Sequence, residues 1–221
     1  MIRISYPLKR DSPLYPGTPS LKITPDKSIN RGDSSNTSVF TFSSHSTTHI
    51  DVPRHFCPNG YSVSDFPKDE LGFFPAYCFD IPKSDDECIS ISDIPPNVSA
   101  VSDAEVLLIK TGFSQYRDSD TDRYSHHHPW VHPDLPEHLK MVFPDLKLVC
   151  FDILSISIPV HRLEGRQSHR AFLCGDPPIL IMEDANLSDP RLLHKRHYLR
   201  IYPWIFEDTD GVPVVAFVTD E

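Results

Sequence analysis

Residues 44–56, with the sequence SHSTTHIDVPRHF, concentrate side chains that can bind a metal ion. They contain His45, His49, Asp51 and His55. Imidazole nitrogens and carboxylate oxygens are ligands that Zn²⁺, Mn²⁺ and Fe²⁺ share, and an open catalytic site of such an ion takes about three protein ligands plus water. The segment therefore predicts a catalytic metal site.

The spacing of these residues requires the chain to bend. In a straight strand at roughly 3.3 Å per residue, His45 and His49 would lie about 13 Å apart, too far for two rings to share one ion. A turn or short helical segment brings them to within about 6 Å. We therefore predict a bend from His45 to His49 and a short strand that carries Asp51. Pro53 rules out one continuous helix, which places His55 beyond the ligands and available for proton transfer.

The same segment resembles the motif HxGTHxDxPxH of the cyclase family of metal-dependent hydrolases, whose members include kynurenine formamidase and isatin hydrolase. Thr47 stands where the family has glycine, a residue that permits a positive φ or a close approach. The resemblance implies that His45, His49 and Asp51 hold one metal ion and that His55 transfers the proton.

A second family element is a helix that carries a histidine, followed by a strand that ends in an ENL-like sequence. The helical pattern at residues 165–174 contains His169, and the apolar run at residues 179–182 leads into Glu183, although two extra residues separate Glu183 from the asparagine and leucine. The resemblance implies that Asp51, His169 and Glu183 can hold a second ion. One or two Zn²⁺ or Mn²⁺ ions per chain are both compatible with this ligand set.

Weaker patterns indicate which elements must position these side chains. Strand patterns occur at residues 2–8, 36–43, 76–81, 105–110, 146–153, 179–182, 198–206 and 214–218, and helical spacing occurs at residues 133–143 and 165–174. The apolar runs at residues 105–110 and 146–153 are typical of strands buried on both faces. We predict one α/β domain over residues 1–221, with a central mixed sheet and few helices. The resemblance implies the swivelling β/β/α architecture of the family.

Other polar segments have competing interpretations. Asp152 fills a family aspartate position, and we favour a hydrogen-bonded structural carboxylate over a metal ligand. The three histidines at residues 126–128 lie in a polar segment, residues 115–132, that we interpret as a surface loop, because consecutive side chains diverge and seldom share one ion. Residues 191–200 are basic and predict a surface helix or loop.

The five cysteines are Cys57, Cys78, Cys88, Cys150 and Cys174. They form no CxxC pair and cannot all pair with one another, so we expect reduced, partly buried thiols. Cys57 follows His55 by two residues, which makes a catalytic cysteine an alternative. Ordinary packing is preferred, because a Cys and a His that neighbour in sequence are seldom the pair that meets in space.

Charge and hydropathy exclude several classes of partner. The net charge is −10, with 31 Asp and Glu against 21 Lys and Arg, which argues against nucleic-acid binding. No window approaches the roughly 20 apolar residues of a membrane span, and the first residues lack the apolar core of a signal peptide. We expect a cytoplasmic protein and, by the resemblance, a homodimer or homotetramer.

The leading functional hypothesis is a metal-dependent hydrolase that cleaves an amide, lactam or ester bond of a small substrate. Such an ion activates water and polarises the carbonyl group under attack. The resemblance favours an N-formylkynurenine-type arylformamide, and the candidate pocket aromatics are Phe56, Tyr61, Phe113 and Trp130, each of which could equally belong to the core. Two alternatives stay open: a non-catalytic metal-binding protein, and a metal-dependent cyclase or dehydratase that uses the same site.

Overall fold

A computed structural model describes residues 1–65 and 72–220. Its strands are β1 (Ile2–Arg3), β2 (Lys22–Lys27), β3 (Thr37–Thr41), β4 (His49–Asp51), β5 (Gly72–Asp80), β6 (Cys88–Ile89), β7 (Val106–Lys110), β8 (Trp130–Val131), β9 (Leu148–Phe151), β10 (Leu180–Glu183), β11 (His197–Pro203) and β12 (Gly211–Asp220). Its α-helices are α1 (Thr121–His126), α2 (Leu135–Val142) and α3 (Arg162–Leu173). None of the helices in these described ranges is both long and apolar enough to span a membrane.

The main sheet closes into a barrel. Hydrogen-bonded neighbours follow the order β12, β11, β5, β7, β9, β10 and β4, and β4 also pairs with β12 and completes the ring. Strands β5, β7, β9 and β10 are parallel to one another, whereas the other pairings in the ring are antiparallel. β1 lies against β12, and β2–β3 and β6–β8 form separate small sheets. The predicted α/β class, with a mixed central sheet and few helices, is confirmed.

The central parallel strands are buried on both faces, as their continuous apolar runs predict. Val106 and Leu108 of β7 pack inside the barrel with residues of the other strands, while Leu107 and Ile109 pack on the outside against the helices. This division follows from the alternation of side chains along a strand. Helices α2 and α3 therefore cover one side of the sheet, and α3 is held against β10 and the strand end that carries Glu183.

Two local predictions are wrong. Residues 115–132 are not a surface loop, because they contain α1 and β8, and His128 is completely buried. The side chain of Asp120 caps α1 by accepting a hydrogen bond from the Arg123 amide. Residues 191–200 are not a surface helix or loop throughout, because β11 begins at His197 and pairs with both β5 and β12. Tertiary pairing selects the strand there, since local spacing alone does not.

The expectation that all cysteines are reduced is also wrong. Cys57 and Cys174 form a disulfide, while Cys78, Cys88 and Cys150 are free thiols. The bonded pair is 117 residues apart in sequence, so only the fold brings the two sulfurs together. The alternative of a catalytic thiol at Cys57 is excluded in this oxidised form. The disulfide joins the segment after His55 to the end of α3, which carries His169.

Breaking this disulfide should lower the melting temperature. Removing a crosslink of this kind typically destabilises a protein by about 2–4 kcal/mol, because the unfolded chain regains conformational entropy. The double variant Cys57→Ser with Cys174→Ser should melt below the native protein and should no longer respond to dithiothreitol. Cys88→Ser is the matched control, since Cys88 is a free thiol. A native melting temperature that dithiothreitol leaves unchanged would contradict the expectation.

Candidate metal centre

Strand pairing brings together residues that are far apart in sequence. β4 carries His49 and Asp51, and it lies antiparallel to β10 in a register that places Glu183 directly opposite His49. His45 precedes β4 in a segment of turns and bends, as the spacing predicts. His169 reaches the same point from α3. All five predicted ligands therefore meet in one cluster at the end of β4.

Asp51 lies at the centre of this cluster. Its Oδ1 is 2.8 Å from Nδ1 of His45 and 3.4 Å from Nε2 of His49. Its Oδ2 is 3.8 Å from Nε2 of His169. The two oxygens of one carboxylate thus face different histidines, which matches the two overlapping ligand sets that the resemblance implies.

Glu183 also faces two of these histidines, His49 and His169. Its Oε2 is 3.3 Å from Nε2 of His49, and its Oε1 is 3.6 Å from Nε2 of His169. Oε1 also accepts hydrogen bonds from the amide of Ile156 at 2.7 Å and the hydroxyl of Ser155 at 3.1 Å. These two donors hold the carboxylate in position.

Backbone carbonyls orient two of the imidazole rings. Nδ1 of His49 donates to the carbonyl of Thr47 at 2.8 Å, and Nδ1 of His169 donates to the carbonyl of Gly165 at 2.7 Å. Each bond places a ring proton on Nδ1 and turns Nε2 towards the carboxylates, so Nε2 is the nitrogen that a metal ion would bind. This arrangement is common for histidines that bind metal ions.

One buried atom shows that the cluster suits a cation. Asp51 is fully buried, and its Oδ2 has no hydrogen-bond donor among the residues that the structure describes. A buried carboxylate oxygen without a partner is unfavourable. A metal ion between Asp51, His169 and Glu183 would satisfy that oxygen, so the residues present fit the group.

The electrostatics of the cluster agree with this fit. Burial favours the neutral form of His45, but the Asp51 and Asp210 carboxylates outweigh it and raise the pKa of His45 to about 10. Burial also opposes ionisation of Glu183, yet His169 and His49 hold the pKa of that carboxyl well below its ordinary value. The carboxylates of the cluster therefore stabilise a positive charge placed between them and the histidine rings, as a site for a cation must.

His55 lies beside the ligands at the edge of the pocket. It ends the single 3-10 turn Pro53–His55, and its ring is 4.1 Å from that of His45 and 5.7 Å from that of His169 between centroids. Its side chain is 24% exposed, which leaves it accessible to a substrate. Ligand atoms of His55, Asp51 and His169 also lie within 4.8 Å of one another, so His55 is placed to bind a metal ion as well. Its role in proton transfer therefore stays a prediction.

Asp210 is the residue that sequence reasoning missed. Its Oδ2 is 2.9 Å from Nε2 of His45 and 3.1 Å from Nδ1 of His55, and its Oδ1 accepts a hydrogen bond from Ser44 at 3.0 Å. A Cβ atom at the next residue, Gly211, would lie 2.8 Å from Cε1 of His45, so only glycine permits this approach. The only local signal is an aspartate–glycine pair before a strand, which marks turns in many proteins.

Two departures from the family motif are connected by one buried arginine. Thr47 has a φ of 55°, so the backbone keeps the conformation that glycine favours. Arg117, 1% exposed, donates to Oγ1 of Thr47 at 3.3 Å and to Asp184 through Nε at 2.7 Å and Nη2 at 2.6 Å. Asp184 also accepts a hydrogen bond from Tyr124 at 2.7 Å. The inserted Asp184 thus holds Arg117 in position, and Arg117 in turn contacts Thr47 of the first motif.

The other aspartate considered as a ligand has a structural environment. Asp152 accepts hydrogen bonds from the amide and hydroxyl of Thr111 at 2.7 and 2.6 Å, and from the amide of Gly112 at 3.0 Å. Burial raises the pKa of Asp152 even though these donors oppose the shift. These contacts agree with the preferred interpretation of a structural carboxylate.

The candidate aromatics divide between the pocket and the core. A cavity of about 260 Å³ opens over the cluster and is lined by Phe56, whose ring stacks on that of His169 at 4.6 Å. Phe113 is completely buried in the outer core, Tyr61 packs against the barrel core, and Trp130 stacks on His161. These three residues do not line the cavity, so of the two interpretations left open for them, packing away from the pocket is the one that holds.

Comparison with known proteins identifies relatives over the whole chain. The family model Cyclase matches residues 2–156. Kynurenine formamidase of Bacillus thuringiensis subsp. konkukian is 27% identical over 217 residues, which cover 98% of this chain and 96% of the relative.

Solved structures with the same fold show lower identity. Isatin hydrolase A from Labrenzia aggregata superposes with a TM-score of 0.77 at 18% identity, over 100% of this chain and 93% of that chain. A structure described as a potential metal-dependent hydrolase with cyclase activity superposes with a TM-score of 0.76 at 22% identity, over 99% of this chain and 96% of that one. At these identities the superpositions establish the fold.

Proposed function

The chain belongs to the Cyclase family, and from that premise we propose that it is a metal-dependent hydrolase of an amide, lactam or ester bond in a small substrate. The observation that carries this proposal is the environment of the buried Asp51 carboxylate. Its Oδ1 faces His45 and His49, and its Oδ2 faces His169. Oδ2 lacks a hydrogen-bond donor among the described residues. The relatives named kynurenine formamidase and isatin hydrolase support the same reaction class.

The proposed ligands form two overlapping sets of Zn²⁺ or Mn²⁺ ligands. His45, His49 and Asp51 would hold one ion, and Asp51, His169 and Glu183 would hold a second. When bound, such an ion lowers the pKa of water and polarises the carbonyl group that is attacked. Supporting this assignment, Nε2 of His49 faces Asp51 and Glu183, Nε2 of His169 faces Glu183, and Nδ1 of His45 faces Asp51.

His55 moves the proton in this proposal. Its Nδ1 faces Oδ2 of Asp210 at 3.1 Å, so the carboxylate keeps the Nδ1 proton in place and leaves Nε2 to exchange a proton with the reactants. His55 takes a proton from the attacking water and gives it to the leaving nitrogen or oxygen as the carbonyl–heteroatom bond breaks. Asp210 then stabilises the charged imidazolium between the two steps.

Part of the cavity wall suits an aromatic ring in the substrate. Phe56, Tyr15 and Leu154 line the cavity, and an aromatic ring packs well against such side chains. An N-formylkynurenine-type arylformamide is therefore the substrate that we propose first. A metal-dependent cyclase or dehydratase could use the same cluster, and product analysis of metal-loaded protein with formyl-anilides, isatin and lactones distinguishes these reactions.

The non-catalytic alternative is disfavoured by the open cavity. A structural zinc site normally has four Cys or His ligands and is closed to substrate. Here two carboxylates contribute, and the cavity reaches His45, His49, His169 and Glu183. The homodimer or homotetramer and the cytoplasmic location stay predictions. The disulfide between Cys57 and Cys174 bears on the location, because a reducing compartment would keep these two thiols free.

Metal analysis tests the ligand assignment. The purified protein should contain at least one Zn²⁺ or Mn²⁺ ion per chain, and His49→Ala and Asp51→Ala should each lose metal, because removing one of a few ligands opens the coordination shell. His126→Ala is the control, since that histidine is exposed and belongs to α1. Elemental analysis that finds undiminished metal in both ligand variants would refute the assignment.

A further inference from the structure

Helix α3 turns one face towards the cavity over the metal cluster. Arg162, Arg166 and His169 all line that cavity, and their spacing of four and three residues places them on the same side of the helix. His169 lies at the cluster, whereas the two arginines are exposed at the outer part of the wall. The same helix face thus presents a proposed metal ligand and two guanidinium groups to one substrate.

In the part of the chain that the structure describes, neither arginine is neutralised by a carboxylate. No carboxylate oxygen there lies within 4 Å of Arg162 or Arg166, and neither side chain has a hydrogen-bond partner among these residues. The nearby Glu164 approaches His161 instead, at 4.0 Å. This is notable in a chain with 31 acidic and 21 basic residues, because carboxylates are abundant enough to pair with them.

Arg162 and Arg166 lie one helical turn apart, so their like charges repel each other by about a few tenths of a kcal/mol, and an anion bound between them would relieve that repulsion.

The lining residues of the cavity include no lysine and no other arginine in the part of the chain that the structure describes. The acidic lining residue Glu183 is occupied by His49 and His169 at the base. Positive charge at the mouth of the cavity is therefore available to an incoming anion.

We propose that Arg162 and Arg166 bind a carboxylate of the substrate, so that the pocket selects amides, lactams or esters that carry an anionic group. The inference rests on the proposed hydrolase function and specifies its substrate class. A guanidinium group presents its N–H donors in a planar fork that matches a carboxylate, and such charge-assisted bonds are about twice as strong as neutral ones. The substrate would place its reacting carbonyl at the metal cluster, its apolar part against Phe56 and its carboxylate at α3.

A matched pair of substrates tests this selectivity. Formanilide and N-formylanthranilate contain the same arylformamide bond, and only the second carries a carboxylate. The double variant Arg162→Gln with Arg166→Gln should lower the ratio of kcat/KM for N-formylanthranilate over formanilide by about 10- to 100-fold, the range expected for hydrogen bonds to a charged group. Arg170→Gln is the control, since Arg170 is exposed on the same helix but does not line the cavity.

The control should keep the native ratio of the two substrates. A double variant that also keeps the native ratio, or an Arg170→Gln variant that changes it as much, would overturn the carboxylate site. The melting temperature of each variant checks that its fold is intact.

Binding separates the failure of this inference from the failure of the proposed reaction. Calorimetric titration with benzoate and with benzyl alcohol compares an anionic and a neutral ring of similar size. Benzoate that binds the native protein at least ten times more tightly than it binds the double variant supports the carboxylate site, even if neither formamide is hydrolysed and the hydrolase proposal fails. Equal benzoate affinity in both proteins overturns the carboxylate site, even if formanilide is hydrolysed.

Discussion

His55→Ala is expected to lower kcat by about 10²–10⁴-fold, the usual contribution of a positioned acid–base group. The loss should fall on kcat more than on KM, because proton transfer occurs in the reaction step and not in substrate binding. Metal content and melting temperature should stay close to those of the native protein, since His45, His49 and Asp51 are left in place.

The structure distinguishes this role from that of a buried histidine satisfied by the backbone. The hydrogen bond of His55 Nδ1 goes to the side chain of Asp210 at 3.1 Å, and the ring lines the cavity. A backbone-satisfied histidine would lose stability on substitution while the folded fraction kept normal turnover. Metal content, melting temperature and rate should be measured on one preparation, with His126→Ala as the control. Normal turnover in His55→Ala, or loss of its metal, would show that the proton-transfer role is wrong.

Arg117→Met should destabilise the protein by about 3–5 kcal/mol, because it leaves the carboxylate of Asp184 buried without its ion-pair partner. Both residues are at most 1% exposed, and burial already raises the pKa of Asp184 despite the neighbouring guanidinium. Equilibrium unfolding in urea measures the loss. A destabilisation below about 1 kcal/mol would contradict the expectation, because surface pairs contribute that little.

A second substitution should recover most of that loss. In Arg117→Met with Asp184→Asn the buried charge is absent, and an asparagine tolerates the φ of 53° at this position. The amide oxygen can still accept the hydrogen bond from Tyr124. If the double variant is no more stable than Arg117→Met, the penalty does not come from an unpaired charge and the interpretation fails.

Local patterns in the sequence identify most of the candidate site. The types and spacing of His45, His49 and Asp51 predict a bend followed by a strand, since both depend on the distance between residues close in the chain. The continuous apolar runs predict the buried strands β7 and β9 for the same reason, because burial on both faces leaves an unbroken apolar run in place of the alternation of a half-buried strand. The helix with His169 and the strand that ends at Glu183 follow from similar local spacing.

Only the tertiary structure brings Asp210 to His45 and His55, pairs Cys57 with Cys174, and places Arg117 between Thr47 and Asp184. Each of these contacts joins residues that are far apart in the chain. Asp210 reaches the site because β4 pairs with the start of β12 and closes the barrel. Such contacts depend on which strands pair and on how α3 packs against the sheet. Local periodicity indicates which face of a strand is buried, but it does not identify the partner strand, because the same spacing is compatible with many pairings.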